Sequence, residues 1–380
     1  MRFAIIGTGF VVDYYMTTLA HYPGLTLAGV YDSDAARLKQ FCDYYSVTAY
    51  ASQADVLADD SVELVVVLTT PETHYAISRA ALEAGKHVYC EKPLAMRLPD
   101  AEALVVLAEE RGLALGGAPA NALSSAFGLV EKTLSSHEIG APKLVYVEME
   151  DGPVFRDNWQ SWRSQSGAPW PGRHEFEIGC TLEHAGYGLS WLIGLFGPIR
   201  EMTGTSGTFF MDKGAPIAPQ AMAPDFSTAC LTFESGVVAR LTCGLCAPKD
   251  RSMIIMAEQG TLTVADLWDD RSAVFVEAPA NTLSFSFRVA RRLEAILGHV
   301  LPLRLNAGRR LRYGDKTAKR LPGFPSQIDF CAGLDALVAA ADNASKRQAM
   351  AARALHVTEA ALVLNRLSEH GGVYTMHTRL

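Results

Sequence analysis

Short, almost wholly apolar runs alternate with stretches of helical periodicity over the first 116 residues. Runs at 2–6, 26–31, 64–68, 87–90 and 114–116 have no polar face, which predicts strands buried on both sides. Between them, 11–21, 34–45, 72–84 and 98–111 place apolar residues three and four apart, the spacing of a helix that covers a sheet. Ala84-Gly85-Lys86 adds a glycine just past the last turn of the third of these. The alternation predicts a doubly wound parallel α/β sheet.

Beyond residue 120 the rhythm changes. A single helix is expected at 122–135, followed by strand patterns at 143–150, 229–233, 237–246, 252–257 and 261–264 with turn residues between them. These predict a largely antiparallel sheet, and helical patterns at 328–338 and 349–367 close the chain. The fold class read from this is α/β plus α+β, with one domain at 1–120 and a second at 121–380. Two loops, 152–172 rich in Gly, Pro, Trp and Arg and 211–224 rich in Pro and Ala, are long enough to expect a function.

Composition narrows the class. With 49% hydrophobic and 20% charged residues in 380, the chain can bury sizeable cores. A net charge of −7 argues against a surface shaped for nucleic acid. No stretch of about 18 uncharged apolar residues predicts a transmembrane segment, and the first ten residues read as strand and turn, so a cytoplasmic protein is expected. Seven scattered cysteines suit reduced thiols, and Cys243 and Cys246 read as structural residues of a strand. The exception to the acidic balance is 287–320, with ten Lys/Arg against two acids and Phe287, Ala290, Leu293, Ile296/Leu297 and Val300 on one helical face. It reads as a solvated or oligomer-facing insertion, or as a dock for a diphosphate substrate or an anionic lipid surface.

The chemistry begins at the first turn. Gly7-Thr8-Gly9-Phe10-Val11 follows the first strand and opens a helix, where backbone N–H groups and the helix dipole hold a pyrophosphate. Asp32 ends the second strand 23 residues after Gly9, where a carboxylate accepts from a ribose hydroxyl and repels a 2′-phosphate; NAD is expected over NADP. The same Asp32-Ser33-Asp34 run also suits a helix N-cap. Thr69-Thr70-Pro71 with His74, and Glu91-Lys92-Pro93, lie at the carboxyl ends of the third and fourth strands, the edge where open α/β sheets bind ligands.

At these motifs the chain resembles the Gfo/Idh/MocA oxidoreductases, and the two-sheet plan extends the resemblance over nearly its whole length. The resemblance implies that Lys92 is the proton-transfer lysine and a cofactor contact, that Pro93 follows a cis bond, and that Thr69, Thr70, Pro71 and His74 line the nicotinamide ribose side. It also implies an NAD-dependent hydride transfer at a secondary hydroxyl of a sugar, sugar derivative or nucleotide sugar. Two alternatives remain: a redox-neutral enzyme with retained NAD, and a non-catalytic NAD or sugar sensor. A homodimer or homotetramer is expected through the open sheet face.

One segment departs from the family. Its dehydrogenases carry an Asp and, four residues on, a His or Tyr on a helix after a Gly-Gly turn. Aligning glycines in Gly179-Cys180-Thr181-Leu182-Glu183-His184-Ala185-Gly186-Tyr187-Gly188 puts His184 at the Asp position and Gly188 at the His position. A register shifted by one pairs Glu183 with Tyr187 on one helical face. Three readings stay open: His184 works with Lys92, Tyr187 carries the proton, or redox chemistry is lost. His174, Glu177, Cys180 and His184 fit no compact metal site, and no metal is expected. Trp162 and Arg163, in the aromatic loop with Trp159, Trp170 and Arg173, are candidate sugar contacts or a domain hinge, and Asn121 is a further candidate.

Overall fold

The structure is a computed structural model that describes residues 1–279, 285–297, 308–314, 319, 321 and 327–380. Its first sheet is parallel, in the order β2-β1-β3-β4-β5: β1 (Arg2–Ile6), β2 (Thr26–Tyr31), β3 (Leu64–Val67), β4 (His87–Cys90) and β5 (Leu115–Gly117). Val65, Val66 and Val67 are fully buried because helices cover both faces. Those helices are α1 (Val12–Leu19), α2 (Ala35–Tyr45), α3 (Gln53–Ala58), α4 (Pro71–Glu83) and α5 (Leu98–Glu110). Asp34 caps α2 by accepting from the Ala36 and Arg37 amides, and Ser52 caps α3. No side chain caps α1 or α4. The strand order reverses at β1, so a crevice opens between the carboxyl ends of β1 and β3.

After α6 (Ser125–Ser135) the chain builds the second sheet, nine-stranded among the described residues. It comprises β6 (Pro142–Glu150), β7 (Ile199–Gly207), β8 (Phe226–Phe233), β9 (Val238–Gly244), β10 (Met253–Ala257), β11 (Gly260–Val264), β12 (Val274–Glu277), β13 (Arg309–Arg310) and β14 (Tyr374–Thr375). Its pairings are antiparallel except β6 with β9. On one face lies α8 (Cys180–Phe196), buried along most of its length and preceded by the short α7 (Gly172–Ile178). Gly188 faces this sheet: a Cβ there would sit 3.0 Å from Leu241, 3.2 Å from Val147 and 3.3 Å from Met149. On the other face Leu144 and Tyr146 of β6 are exposed, the alternation of a half-covered strand.

The terminal helices lock the two sheets together. From α10 (Cys331–Ala341), Leu337 reaches Gly116, while Ala354 of α11 (Ala344–Asn365) reaches Gly117, both at distances that leave no room for a side chain on β5. A short α12 (Leu367–His370) precedes β14. Several elements escape the periodicity: α3, α7, β7 and the strands after β11. Helix α7 starts inside a segment whose Gly and Pro content predicts only loop, and α9 (Phe285–Leu297) carries the start of the basic stretch with Leu293 and Ile296 exposed. The apolar face expected to continue to Val300, and most of 298–320, lie outside the described residues.

Candidate active site between the two sheets

The glycine turn after β1 divides two tasks between its two glycines. Gly7 has a φ of +104°, and a Cβ would lie 2.6 Å from the Leu68 carbonyl group, so only glycine lets β1 end against β3. A Cβ on Gly9 would meet nothing within 4 Å. That open space beside the uncapped N-terminus of α1 fits a pyrophosphate, which the free amides of the first turn would bind. Phe10 packs edge-on against Tyr14, and Val11 leads into the helix. Thr8 is turned away: its amide and hydroxyl both donate to Asp32, at 2.7 and 3.0 Å. The Asp32 carboxylate also accepts from the Asp34 amide and, through both oxygens, from Arg37 at 2.7 and 3.0 Å. Burial works against its charge, but Arg37 and the amides hold Asp32 below the usual carboxylate range.

At the ends of β3 and β4, His74 ties two loops together. It is buried, with Nδ1 2.7 Å from the Pro93 carbonyl and Nε2 3.1 Å from the Thr69 carbonyl, so it braces the crevice wall instead of presenting a free ring. Thr69 accepts from Thr73, Thr70 is exposed, and Pro71 starts α4. The Lys92–Pro93 bond is cis. Glu91 is held by the Tyr15 hydroxyl at 2.8 Å, which anchors the loop to α1.

Lys92 reaches across to α8. Its Nζ lies 2.5 Å from Glu183 Oε2, with both side chains largely buried. Burial favours the neutral amine, but Glu183 outweighs it and holds Lys92 above its ordinary range, while Lys92 holds Glu183 below its own. Tyr187, one turn on, is buried against the Trp268 ring at 4.5 Å. Burial keeps its phenol protonated well past the ordinary range, although the Lys92 charge pulls the other way. Of the two registers, then, the shifted one brings Glu183 to Lys92 with Tyr187 one turn further along, and the glycine-aligned one brings neither of its residues there. His184 points instead to Asp151 at the end of β6, with Nε2 2.8 Å from Oδ2, and Gly188 faces the core.

Asp151 is itself gripped by Arg251, whose Nε donates at 2.6 Å and whose guanidinium stacks 3.3 Å over Trp268. Burial opposes the Asp151 charge, but His184 and Arg251 overcome it and hold the carboxylate well below its usual range. Glu175 of α7 is buried beside the same cluster, where burial and the Glu183 charge push its carboxyl above the usual carboxylate range. No sequence motif marks Asp151, Arg251, Trp268 or Glu175: a hundred residues separate Asp151 from Arg251, and no local spacing signals the pair.

The remaining candidates contact neighbouring backbone and rings. Asn121 donates to the backbone carbonyls of Tyr187 and Leu267, at 3.1 and 3.2 Å, and so fixes the loop behind the site. Trp162 packs on Trp170 with ring centroids 5.0 Å apart, and exposed Arg163 donates to the Gln160 and Trp162 carbonyls of its own turn. His174, Glu177, Cys180 and His184 do not converge: they contact Glu72, Arg173, the Cys243 carbonyl and Asp151 respectively.

A dinucleotide cradle opposed by a buried lysine at the carboxyl edge of a parallel sheet defines a nicotinamide-dependent oxidoreductase class. Residues 1–117 match the family described as "Oxidoreductase family, NAD-binding Rossmann fold", and residues 127–263 match "GFO/IDH/MocA C-terminal domain". The chain belongs to the Gfo/Idh/MocA family of oxidoreductases. It is 28% identical over 265 residues to the oxidoreductase YdgJ of Escherichia coli (strain K12), covering 69% of this chain and 70% of that one. Over 163 residues it is 30% identical to 1,5-anhydro-D-fructose reductase of Ensifer adhaerens, covering 43% and 48%. An oxidoreductase from Agrobacterium radiobacter, crystallised with NAD+, L-tartaric acid and magnesium, has the same fold, with a TM-score of 0.73 at 16% identity over 99% of this chain and 98% of that one.

Proposed function

We propose that the protein is an NAD-dependent dehydrogenase that interconverts a secondary hydroxyl and a ketone on a sugar, sugar derivative or nucleotide sugar. The observation that carries this reading is the ion pair of Lys92 with Glu183, on the helical face that also presents Tyr187. Gly7, Gly9 and the first turns of α1 and α4 would hold the dinucleotide, which when bound supplies the hydride donor or acceptor. Asp32, kept ionised, favours an unphosphorylated ribose, although Arg37 must shift for its oxygens to accept further hydrogen bonds.

The protonation states of the site's own residues suit ketone reduction. Lys92 is an ammonium and Tyr187 a phenol, so two donors await an oxygen that gains negative charge. Tyr187 gives up the proton, and the Lys92 charge stabilises the phenolate left behind. Oxidation runs the same path in reverse. His184, fixed by Asp151, forms the wall of the substrate pocket beside them. The likeness to 1,5-anhydro-D-fructose reductase supports a sugar-type substrate. The exposed Leu144 and Tyr146 of the open sheet face support assembly as a homodimer or homotetramer.

Replacement of Lys92 by methionine tests the reading. Turnover should fall by about 10²–10⁴-fold while NAD affinity stays within a few fold, and a variant with full activity would overturn it.

A further inference from the structure

The aromatic loop between β6 and α8 does more than join two elements: it is tied to the first sheet's helices at two points on opposite sides of the crevice. At one end, Ser166 donates its amide and its hydroxyl to Asp13, at 3.1 and 2.8 Å, and its carbonyl accepts from Gln40 Nε2 at 2.7 Å. The Tyr45 hydroxyl completes the shell of Asp13, which is fully buried. At the other end, His174 Nε2 lies 2.8 Å from Glu72 Oε1.

Both anchors are first-turn acids, Asp13 on α1 and Glu72 on α4. These helices follow β1 and β3, the strands that flank the switch point, and their crossovers run in opposite directions. Right-handed crossovers therefore place them on opposite faces of the sheet, with their N-termini on the two banks of the crevice. Eight steps lead from Ser166 to His174, six of them outside α7 and the last two within it, and together they can span up to about 23 Å, enough to bridge those banks.

The bridge is itself rigid. The Ser164 amide donates to the Ala168 carbonyl at 2.9 Å, and the Trp170 amide donates to the Trp162 carbonyl at 3.1 Å. Trp162 packs on Trp170, which in turn packs on Trp159 and Phe176. Gly167 at the tip has a φ of +93°, and a Cβ there would lie 2.1 Å from Gln40 Nε2. The close approach to α2 thus depends on glycine at this position.

We propose that residues 162–174 form a strap that closes over the bound dinucleotide and sets the rate at which it leaves. The inference rests on the NAD-dependent reading above. The strap's anchors lie where a dinucleotide would pass from the α1 side to the α4 side, so release requires Asp13 to lose two of its bonds or His174 to leave Glu72.

The test loads the purified full-length protein with NADH and follows loss of its bound fluorescence after a chase with excess NAD. Gly167→Ala, the double variant Gln40→Ala with Ser166→Ala, and His174→Ala should each release NADH at least tenfold faster than the wild type. On the unaltered protein, amide hydrogen exchange at 163–170 should slow at least tenfold when NADH is bound. Release rates within twofold of the wild type, or exchange in the strap that ignores NADH, overturn the strap alone. A wild-type protein that binds neither NADH nor NADPH overturns the strap and the NAD-dependent reading together.

Discussion

Lys92, at the end of a parallel strand, and Glu183, on the helix that crosses the second sheet, form an ion pair of 2.5 Å between residues 91 apart in sequence. Glu183 is what keeps the buried lysine charged. Burial by itself favours the neutral amine, and the carboxylate reverses the balance. In Glu183→Gln the shape is kept and the charge removed, so burial wins and the Lys92 pKa falls. The alkaline limb of the kcat/KM profile should move to lower pH, with kcat reduced about 10²-fold. A profile that overlays the wild type would show that the lysine's charge does not depend on Glu183.

Asp151 carries a prediction about stability. It is buried between His184 and Arg251 and its pKa is depressed in the folded protein. A depressed folded pKa contributes stability above the unfolded value of about 3.9, and that contribution is lost as pH falls below it. Asp151→Asn leaves Arg251 buried without its counter-charge and should cost about 3–5 kcal/mol near pH 7. In denaturant unfolding the gap between wild type and variant should be full at neutral pH and narrow below about pH 4. A gap independent of pH would assign the loss to packing instead of charge.

These two pairs also show where sequence reading stops. The Gly7 and Gly9 turn, Asp32 and the edge position of Lys92 are local features: each sits within a few residues of a strand end that hydrophobic patterning marks. Asp151, Arg251 and Trp268 meet only because β6, β10 and β11 lie side by side in one sheet, so their chemistry is written in strand order and not in spacing. The register of α8 misleads for a related reason. Glycines at 179, 186 and 188 invite alignment by glycine, but they serve different needs. Gly179 has a φ of +104°, whereas Gly188 is small because Leu241, Val147 and Met149 press on it. Position and charge mark Asp32 as a candidate ribose acceptor, and nothing in the sequence signals that Arg37 and Thr8 occupy its oxygens.

The two glycines of the first turn should separate under alanine substitution. Gly7→Ala places a Cβ 2.6 Å from backbone atoms of Leu68, on a residue whose φ is +104°, and should cost several degrees in Tm or prevent folding. Gly9→Ala fills open space, so Tm should hold while NAD affinity falls at least tenfold as the methyl group enters the cradle. Calorimetry for the first and NADH fluorescence titration for both decide the matter. Equal loss of stability in the two variants would mean that Gly9 is needed for the fold and does not mark a ligand cradle.

Gly188→His would restore a histidine where glycine alignment with the family places one. The geometry predicts damage without benefit. An imidazole here must enter a layer in which a lone Cβ already lies 3.0 Å from Leu241 and 3.2 Å from Val147, on the helix face turned away from Lys92. A better helix former than glycine gains up to about 1 kcal/mol, but overpacking with a buried polar ring costs about 1–3 kcal/mol or more, so the net sign is destabilising. The variant should unfold at lower temperature and gain no activity, whereas Tyr187→Phe should keep its stability and lose about 10²-fold in kcat if, as proposed, its hydroxyl carries the proton. If Gly188→His instead raised turnover, the helix would have to present that face to the substrate, and the proposal that Glu183 and Tyr187 work with Lys92 would fall.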